Sequence, residues 1–325
     1  MIRSFVFNQG KLVGQDLDLD SLRLVLFDKG LHVWVDMEKS TDEEAKMVLE
    51  GVFGFHPLAI EDCLTLSERP KADEYDNYLF LVIHAVDYTR GAEEFRTTEL
   101  NIFVGKDFVV TFHRDLLRSV AATIERVMKN APAVARAPDR LTHTLLDFLF
   151  ENYRPVLEEI SAEITELEES VLTVRSTDIL KAVLRVKGEV QRLRQIIAPQ
   201  REVIARFAHG EFKFVRAHLV PYYRDLHDQL VRISDSADNY RDALTGILQV
   251  HLNLQQTQVN EVIKVLTVLA TLALPMFIIT SFYGMNFPHF PPSETNLFTA
   301  YGWVFAVTLV CTGLLFWFLK RKKWF

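Results

Sequence analysis

The sequence has few cysteines and no excess of positive charge. Of its 325 residues only Cys63 and Cys311 are cysteines, and they lie far apart in segments of different character. Two distant thiols form neither a disulfide framework nor a zinc site, and they suit a reducing compartment. The net charge of −7 excludes nucleic acid as a partner, because phosphates require a basic footprint.

Recognisable catalytic motifs are missing as well. The sequence contains no phosphate-binding glycine loop, no nucleophile elbow and no acid pair in a familiar frame. Its histidines are scattered, without the paired spacing of metal ligands. We therefore predict neither an enzyme nor an organic cofactor.

Two long runs without charge lie near the C-terminal end. Val265–Tyr283 has 19 residues and Leu297–Leu319 has 23, and neither contains a charged side chain. A membrane helix needs about 20 apolar residues. Each run therefore predicts a membrane span, with a pair of buried core helices as the alternative.

Positive residues flank these runs on one side only. Lys264 precedes the first run and 320–323 follow the second, whereas 284–296 contain no Lys or Arg. Positive residues stay on the cytoplasmic side, so we expect both termini in the cytoplasm and a multi-pass location in the cell (inner) membrane. The N-terminus lacks the apolar stretch of a secretory signal.

The first 114 residues have the pattern of a mixed α/β domain. Thr41 before three acidic residues predicts a helix N-cap, and the glycine turn at 105–107 predicts a hairpin. Short runs rich in Val, Ile and Phe predict strands. These runs are 22–27, 31–36, 78–86, 100–104 and 108–112.

From about Leu116 the apolar spacing becomes helical. Apolar residues recur at intervals of three and four along 157–174 and 183–197, which indicates an antiparallel helix pair. The first helix carries mostly Glu on its polar face and the second mostly Lys and Arg. We interpret these as complementary solvated faces of a hairpin turning near 176–178, with a cation-attracting acidic surface as the alternative.

A third apolar stripe runs from Leu226 to Leu254 after Pro221, a residue that the first turn of a helix tolerates. No proline or glycine-rich linker separates this stripe from the first charge-free run. The sequence therefore predicts one helix over about 221–283, roughly 95 Å long at ~1.5 Å per residue.

These patterns predict an α+β cytoplasmic domain followed by long helices and a two-helix transmembrane segment. The predicted boundaries are 1–114 for the α/β domain, 115–218 for the cytoplasmic helices with the hairpin, 219–283 for the long helix with its membrane part at about 264–283, 284–296 for the extracytoplasmic loop, 297–319 for the second membrane helix and 320–325 for the basic cytoplasmic tail.

The motif Gly284-Met285-Asn286 follows Tyr283 at the outer end of the first run. Between two charge-free spans, this motif resembles the hallmark of the CorA family of magnesium channels. Residues 260–267, 223–225 and the basic C-terminal end are similar to the same family. The likeness covers essentially the whole chain, loosely in the first hundred residues and closely from about Pro221.

The resemblance implies a homopentameric funnel, in which five long helices surround a pore and the second membrane helix lies outside them. It also implies a passive, potential-driven divalent-cation channel, with Mg²⁺ as both the transported and the regulatory ion. The expected partners are further copies of the chain, the lipid bilayer and divalent cations.

Independently of the resemblance, one face of the first membrane helix indicates that several copies of the chain surround a common axis. Small and polar residues recur on it at spacings of three and four, which a symmetric ring explains and a lone helix in lipid does not. The alternative is an ordinary helix-packing face of small residues. The candidate pore residues are Asn260, Ile263, Leu266, Thr267, Ala270, Leu274, Phe277 and Ser281.

The motif Gly284-Met285-Asn286 has a chemistry that suits Mg²⁺, which is small, octahedral and slow to lose its water. An uncharged ring of Asn286 carboxamides binds the hydrated ion through its waters, and weak binding permits release. Gly284 lets the backbone turn at the helix end. A helix C-cap is the alternative role of Asn286.

Asp225 matches the family's inter-subunit aspartate, so the resemblance implies that intracellular Mg²⁺ bridges carboxylates of neighbouring domains and closes the pore. The partner acid does not align, because Asp87 is nearby but Thr89 occupies the strict position. The outer loop departs from the family too. Glu294 is its candidate cation-attracting charge, and His289 leaves room for zinc, cobalt or nickel.

Two other functions stay open. One is a zinc, cobalt or nickel transporter of the same fold, against which Met285 argues, because zinc-type relatives usually carry another residue there. The other is a membrane-anchored coiled-coil scaffold or sensor that transports nothing. Cation flux into liposomes separates all three.

Overall fold

The computed structural model of this protein describes residues 1–28, 30–66, 69–87, 95–173, 177–285 and 297–322. The strands are β1 (Ile2–Asn8), β2 (Lys11–Gln15), β3 (Leu31–Glu38), β4 (Lys71–Glu74), β5 (Tyr78–Asp87), β6 (Arg96–Gly105) and β7 (Phe108–His113). The helices are α1 (Leu19–Leu26), α2 (Asp42–Leu49), α3 (Pro57–Leu64), α4 (Arg118–Val134), α5 (Pro138–Glu151), α6 (Tyr153–Thr173), α7 (Thr177–Ala208), α8 (Val220–Tyr283) and α9 (Leu297–Arg321), with a 3-10 turn at Ala217–Leu219.

The chain divides into two compact units, Met1–Leu248 and Gln249–Phe325. The first unit contains one sheet with the strand order β2-β1-β3-β7-β6-β5-β4. Only β3 and β7 run parallel among the paired strands described; their neighbours pair antiparallel. The fold class predicted from the sequence, an α/β domain followed by long helices, is confirmed.

Both faces of the sheet are covered, because apolar side chains alternate along the strands and point to opposite sides. Val33 and Val35 pack with α1, α2 and α3 on one face. Trp34 between them packs with α4 to α8 on the other. Two cores therefore enclose one sheet.

The strands predicted at 31–36, 78–86, 100–104 and 108–112 are confirmed. The strand predicted at 22–27 is wrong, because this segment forms α1. The side chain of Asp18 caps α1 by accepting a hydrogen bond from the Ser21 N–H, and Leu22 alone is buried while Phe27 is 85% exposed. Thr41 forms the predicted N-cap, as part of a capping box with Glu44.

The apolar stripes of the helix pair are buried, as predicted. Ile160, Ile164 and Leu167 of α6 lie in the same core as Val183, Val186 and the later stripe residues of α7. Arg185 of α7 pairs with Glu163 of α6 at 2.9 Å, so the opposite charges meet where the helices face each other. Of the turn predicted near 176–178, Ser176 lies outside the described residues, and Thr177 and Asp178 begin α7.

A buried hydrogen-bond network fixes this helix pair on the sheet. The Tyr153 hydroxyl donates to the His84 carbonyl at 2.8 Å and accepts from Gln200 at 2.7 Å. Gln200 in turn accepts from the His84 N–H at 3.2 Å. Because buried polar groups cost free energy when unpaired, this closed triangle specifies how α6 and α7 sit on β5.

The long helix is continuous, as predicted: α8 has 64 residues, from Val220 to Tyr283. Leu226, Leu230 and Leu244 are fully buried. The apolar stripe predicted over 226–254 is not buried to its end, because Leu254 is 41% exposed. The helices that bury the stripe belong to the first unit, which ends at Leu248.

A charged network lies inside the sheet, across β1, β3 and β7. The Asp36 carboxylate accepts hydrogen bonds from Arg3 and Thr111, each at 2.7 Å, and from His113 at 3.1 Å. Burial would raise the pKa of Asp36, but the hydrogen bonds from His113 and Thr111 and the charge of Arg3 outweigh it and lower that pKa. Burial likewise opposes protonation of His113, but the Asp36 carboxylate raises the pKa of His113.

We predict that this pair stabilises the fold most between about pH 4 and pH 6.5, the ordinary pKa values of Asp and His. The contribution of His113 is complete below the pKa of an unfolded histidine and is lost as the pH rises through its raised folded pKa. The contribution of Asp36 is lost as the pH falls through its lowered folded pKa.

The measurement is thermal unfolding of the full chain in detergent. His113→Gln should lower the unfolding midpoint by several degrees at pH 5.5 and by less at pH 8.5. His209→Gln removes an exposed histidine and should show no such difference. An equal cost of His113→Gln at both pH values would contradict the charged pair.

Candidate ion pathway

The second unit contains the end of α8 and all of α9. Both helices include a segment long and apolar enough to cross a membrane, and only 6% and 11% of the residues in these two segments are buried. Core helices of soluble proteins are mostly buried. The two segments are therefore exposed and apolar, which suits a lipid environment.

One side of α8 packs against α9. Val268 is 5% exposed, and Leu272 and Met276, at helical spacing from it, line a cavity of about 400 Å³ with Thr308 and Thr312 of α9. Threonines let helices approach closely in an apolar medium. This face of α8 is the helix-packing face.

The candidate pore residues lie on the other side of α8. At ~100° per residue, they cluster about 180° around the helix from Leu272. The structure leaves all eight exposed in the single chain: Asn260, Ile263, Leu266, Thr267, Ala270, Leu274, Phe277 and Ser281. Phe277 is the most exposed of the large ones, at 73%.

The polar groups on this face present hydrogen-bond acceptors. The Thr267 hydroxyl donates its only proton to the Ile263 carbonyl at 2.7 Å, so only its lone pairs remain for other partners. The Asn260 carboxamide oxygen accepts from Gln256 at 3.2 Å. Gln256 was not among the predicted pore residues, although its spacing of four from Asn260 places it on this face.

The helix ends as the sequence predicts. α8 stops at Tyr283, and the Gly284 N–H reaches the carbonyls of Thr280 at 3.0 Å and Ser281 at 3.2 Å. A Cβ on Gly284 would lie 3.2 Å from the Thr280 oxygen, which is tighter than an ordinary contact, so glycine fits this turn best.

Met285 is the last residue described at this end, and it is 55% exposed. Asn286 and Glu294 lie outside the described residues. At the opposite end, Arg321 in the last turn of α9 lies 5.4 Å above the Trp317 ring. Tryptophan and arginine together are typical of a membrane–water boundary.

The two candidate regulatory acids lie in the first unit. Asp225 is exposed in the second turn of α8 and accepts a hydrogen bond from Gln229 at 3.4 Å. Asp87 is the last residue of β5, where its backbone pairs with Arg96. Among the described residues, no group of three or more His, Cys, Asp or Glu side chains could hold a metal ion.

Comparison with known proteins agrees with these features. Residues 30–321 match the family described as CorA-like Mg²⁺ transporter protein. The cobalt/magnesium transport protein CorA of Thermotoga maritima is 30% identical over 308 residues, 94% of this chain and 87% of that protein. A putative metal ion transporter of Bacillus subtilis, YfjQ, is 31% identical over 90% of this chain and 89% of its own length.

The fold is that of a solved structure from the same family. The CorA magnesium transporter of Methanocaldococcus jannaschii matches with a TM-score of 0.81 at 20% identity, over 99% of this chain and 98% of that one. The resemblance found from the motif at 284–286 is thereby confirmed at the level of the family. This chain belongs to the family of CorA-like Mg²⁺ transporter proteins, and so it is a membrane transporter of divalent cations and not an enzyme.

Proposed function

We propose that this protein is a passive, potential-driven channel that imports Mg²⁺. The observation that carries the proposal is the face of α8 opposite α9, which is exposed in one chain and combines uncharged polar, small and apolar residues. In a family of cation transporters, such a face is suited to line a pore. A divalent ion crossing ~100 mV gains about 4.6 kcal/mol, so no other energy source is needed.

The channel is a homopentamer in the cell (inner) membrane. Five copies of α8 wrap this face around one axis, α9 lies outside them against lipid, and both termini are cytoplasmic. The family resemblance supplies the number five. The positive charges at Lys264 and after Leu319 support the orientation.

Hydrated Mg²⁺ is selected at the outer end. A ring of Asn286 carboxamides binds the waters of the ion, while Gly284 and Met285 shape the turn that presents the ring. Mg²⁺ gives up its water slowly, so outer-sphere binding avoids a large barrier. Glu294 raises the local cation concentration at the mouth.

Rings of different character follow along the pore. Ser281 and Thr267 offer hydroxyl oxygens to the ion's waters, and Asn260, paired with Gln256, forms an uncharged ring at the cytoplasmic end. Leu274, Ile263 and Leu266 form apolar constrictions that close the pore by dewetting. Ala270 and Phe277 lie between these rings and set the width.

Cytoplasmic Mg²⁺ acts as the regulatory ion. Asp225 is exposed and belongs to no multi-carboxylate cluster among the described side chains, so a tight site at this position requires an acid from a neighbouring copy. Asp87 is the candidate for that acid. When the bridging ion leaves, acidic surfaces of a chain with net charge −7 repel one another and the ring loosens.

The proposal is tested by flux into proteoliposomes that contain the purified protein and a trapped dye for divalent cations. With an inside-negative potential, Mg²⁺ should enter, and Zn²⁺ should enter more slowly. Co²⁺ is an informative third ion, because the Thermotoga maritima relative is named for cobalt and magnesium. Faster entry of Zn²⁺ would favour the zinc transporter, and vesicles that admit no divalent ion would favour the scaffold.

We predict that Asn286→Ala abolishes Mg²⁺ flux, because it removes the carboxamide that replaces bulk water around the hydrated ion. The oligomer should still assemble, as measured by its mass in mild detergent. Asn239→Ala removes an exposed asparagine of α8 in the first unit and should transport normally. Normal flux in Asn286→Ala would refute selection at this residue.

We predict that Thr267→Val lowers the Mg²⁺ flux by about tenfold, the cost of one charge-assisted hydrogen bond in a ring. The substitution keeps the shape of the side chain and removes its acceptor. Thr312→Val is the matched control, since the Thr312 hydroxyl also bonds back to its own helix, at 2.8 Å, but lies on α9, on the packing side of α8. Equal effects of the two variants would place the pore elsewhere.

We predict that Asp225→Asn raises the cytoplasmic Mg²⁺ concentration needed for half-closure by about tenfold or more, as loss of a ligand does at metal sites. The maximal flux should not fall. Asp235→Asn, at another exposed position of α8, should close as the wild type does. An unchanged closing concentration in Asp225→Asn would remove Asp225 from regulation.

A further inference from the structure

A basic cleft lies in the first unit. It has a volume of about 410 Å³, and its lining includes Arg136, Arg140, Arg216, His218 and Tyr222. In a chain of net charge −7, three arginines around one cavity form an unusual concentration of positive charge.

The backbone brings these residues together from two distant segments. A kink at Asn130 and Pro132 near the end of α4 leads into the short connection that carries Arg136, and Arg140 follows in the first turn of α5. The opposite wall is the segment that enters α8, from Arg216 through the 3-10 turn to Tyr222. The two walls are about 80 positions apart in the sequence.

Asp139 holds the Arg216 side chain in place. Its guanidinium makes two hydrogen bonds of 2.7 Å to the Asp139 carboxylate, whose side chain is 3% exposed, and its backbone N–H makes a third at 3.1 Å. This bidentate pair fixes the plane of the guanidinium. Asp139 lies beneath the cleft and is not part of its lining.

Among the described residues, the other two arginines of the cleft have no acidic partner. The Arg140 guanidinium lies 4.6 Å from the centre of the Tyr222 ring, a cation–π contact that orients it. Arg136 and His218 are exposed and make no ion pair with any side chain in the described ranges. No carboxylate belongs to the described lining, so the cleft keeps an excess of at least two positive charges after Asp139 is counted.

We propose that this cleft binds a phosphate-bearing polyanion, either inorganic polyphosphate or the phosphates of a nucleotide. Planar guanidinium groups match phosphate oxygens in pairs, and cavities of ~300–1,000 Å³ hold ligands of this size. The Tyr222 ring, 48% exposed beside Arg140, offers a stacking surface that only a nucleotide would use. This site does not depend on the proposed channel.

The test is calorimetric titration of the full-length protein in detergent, without divalent cations, with inorganic triphosphate and separately with ATP. Saturable binding of at least one anion is expected. Arg136→Ala and Arg140→Ala should each weaken it by about tenfold, because each removes a charge-assisted hydrogen bond. Arg126→Ala removes an exposed arginine of α4 outside the cleft and should bind as the wild type does.

Tyr222→Leu separates the two sources of phosphate. A larger loss of affinity for ATP than for triphosphate supports the nucleotide, and an equal change for both supports inorganic polyphosphate, because loss of the contact with Arg140 affects both anions alike. Each variant must elute as the same oligomer as the wild type. The proposal is overturned if neither anion binds saturably at low millimolar concentration. It is also overturned if the Arg136→Ala/Arg140→Ala double variant binds as the wild type does.

Discussion

A polar side chain on a membrane helix must face something other than lipid, and the organisation of α8 depends on this constraint. The backbone of the helix satisfies its own hydrogen bonds, and Thr267 returns its hydroxyl proton to Ile263. Asn260, just before the span, accepts a hydrogen bond from Gln256 on the same face. Since α9 covers the opposite side, the proposed channel places this face on a shared aqueous axis, where its polar groups meet water.

The first unit holds the start of the same helix firmly. The Tyr223 hydroxyl, fully buried, donates to the Asp139 carbonyl at 2.9 Å, and Asp139 also fixes Arg216 just before the helix. Tyr222 and Asp225 are therefore anchored within one turn of each other. The proposed regulatory cation would bind Asp225, and the proposed polyanion would bind beside Tyr222. Two ligands of opposite charge would therefore act on the start of one helix, which continues to Tyr283.

How far the sequence predicts the fold depends on how local the signal is. The strands from β5 to β7 alternate strongly between buried faces, and they were predicted. The segment 22–27 is short and apolar, and such a run does not distinguish a strand from a helix. In the structure it is helical, because Asp18 caps the helix and Leu22 is its only buried residue. Of the candidate pathway, the spacing of three and four along α8 predicted the pore residues from Asn260 to Ser281, but Gln256, one turn before Asn260, was missed.

The sequence by itself determined the two spans, the unbroken length of α8 and the apolar stripes of the helix pair, since each depends on neighbours three or four residues apart. The tertiary structure decided which side of α8 meets α9, and that Arg140 and Arg216 line one cleft. Those outcomes depend on packing between residues far apart in the chain, and no local periodicity encodes which distant surface fits another.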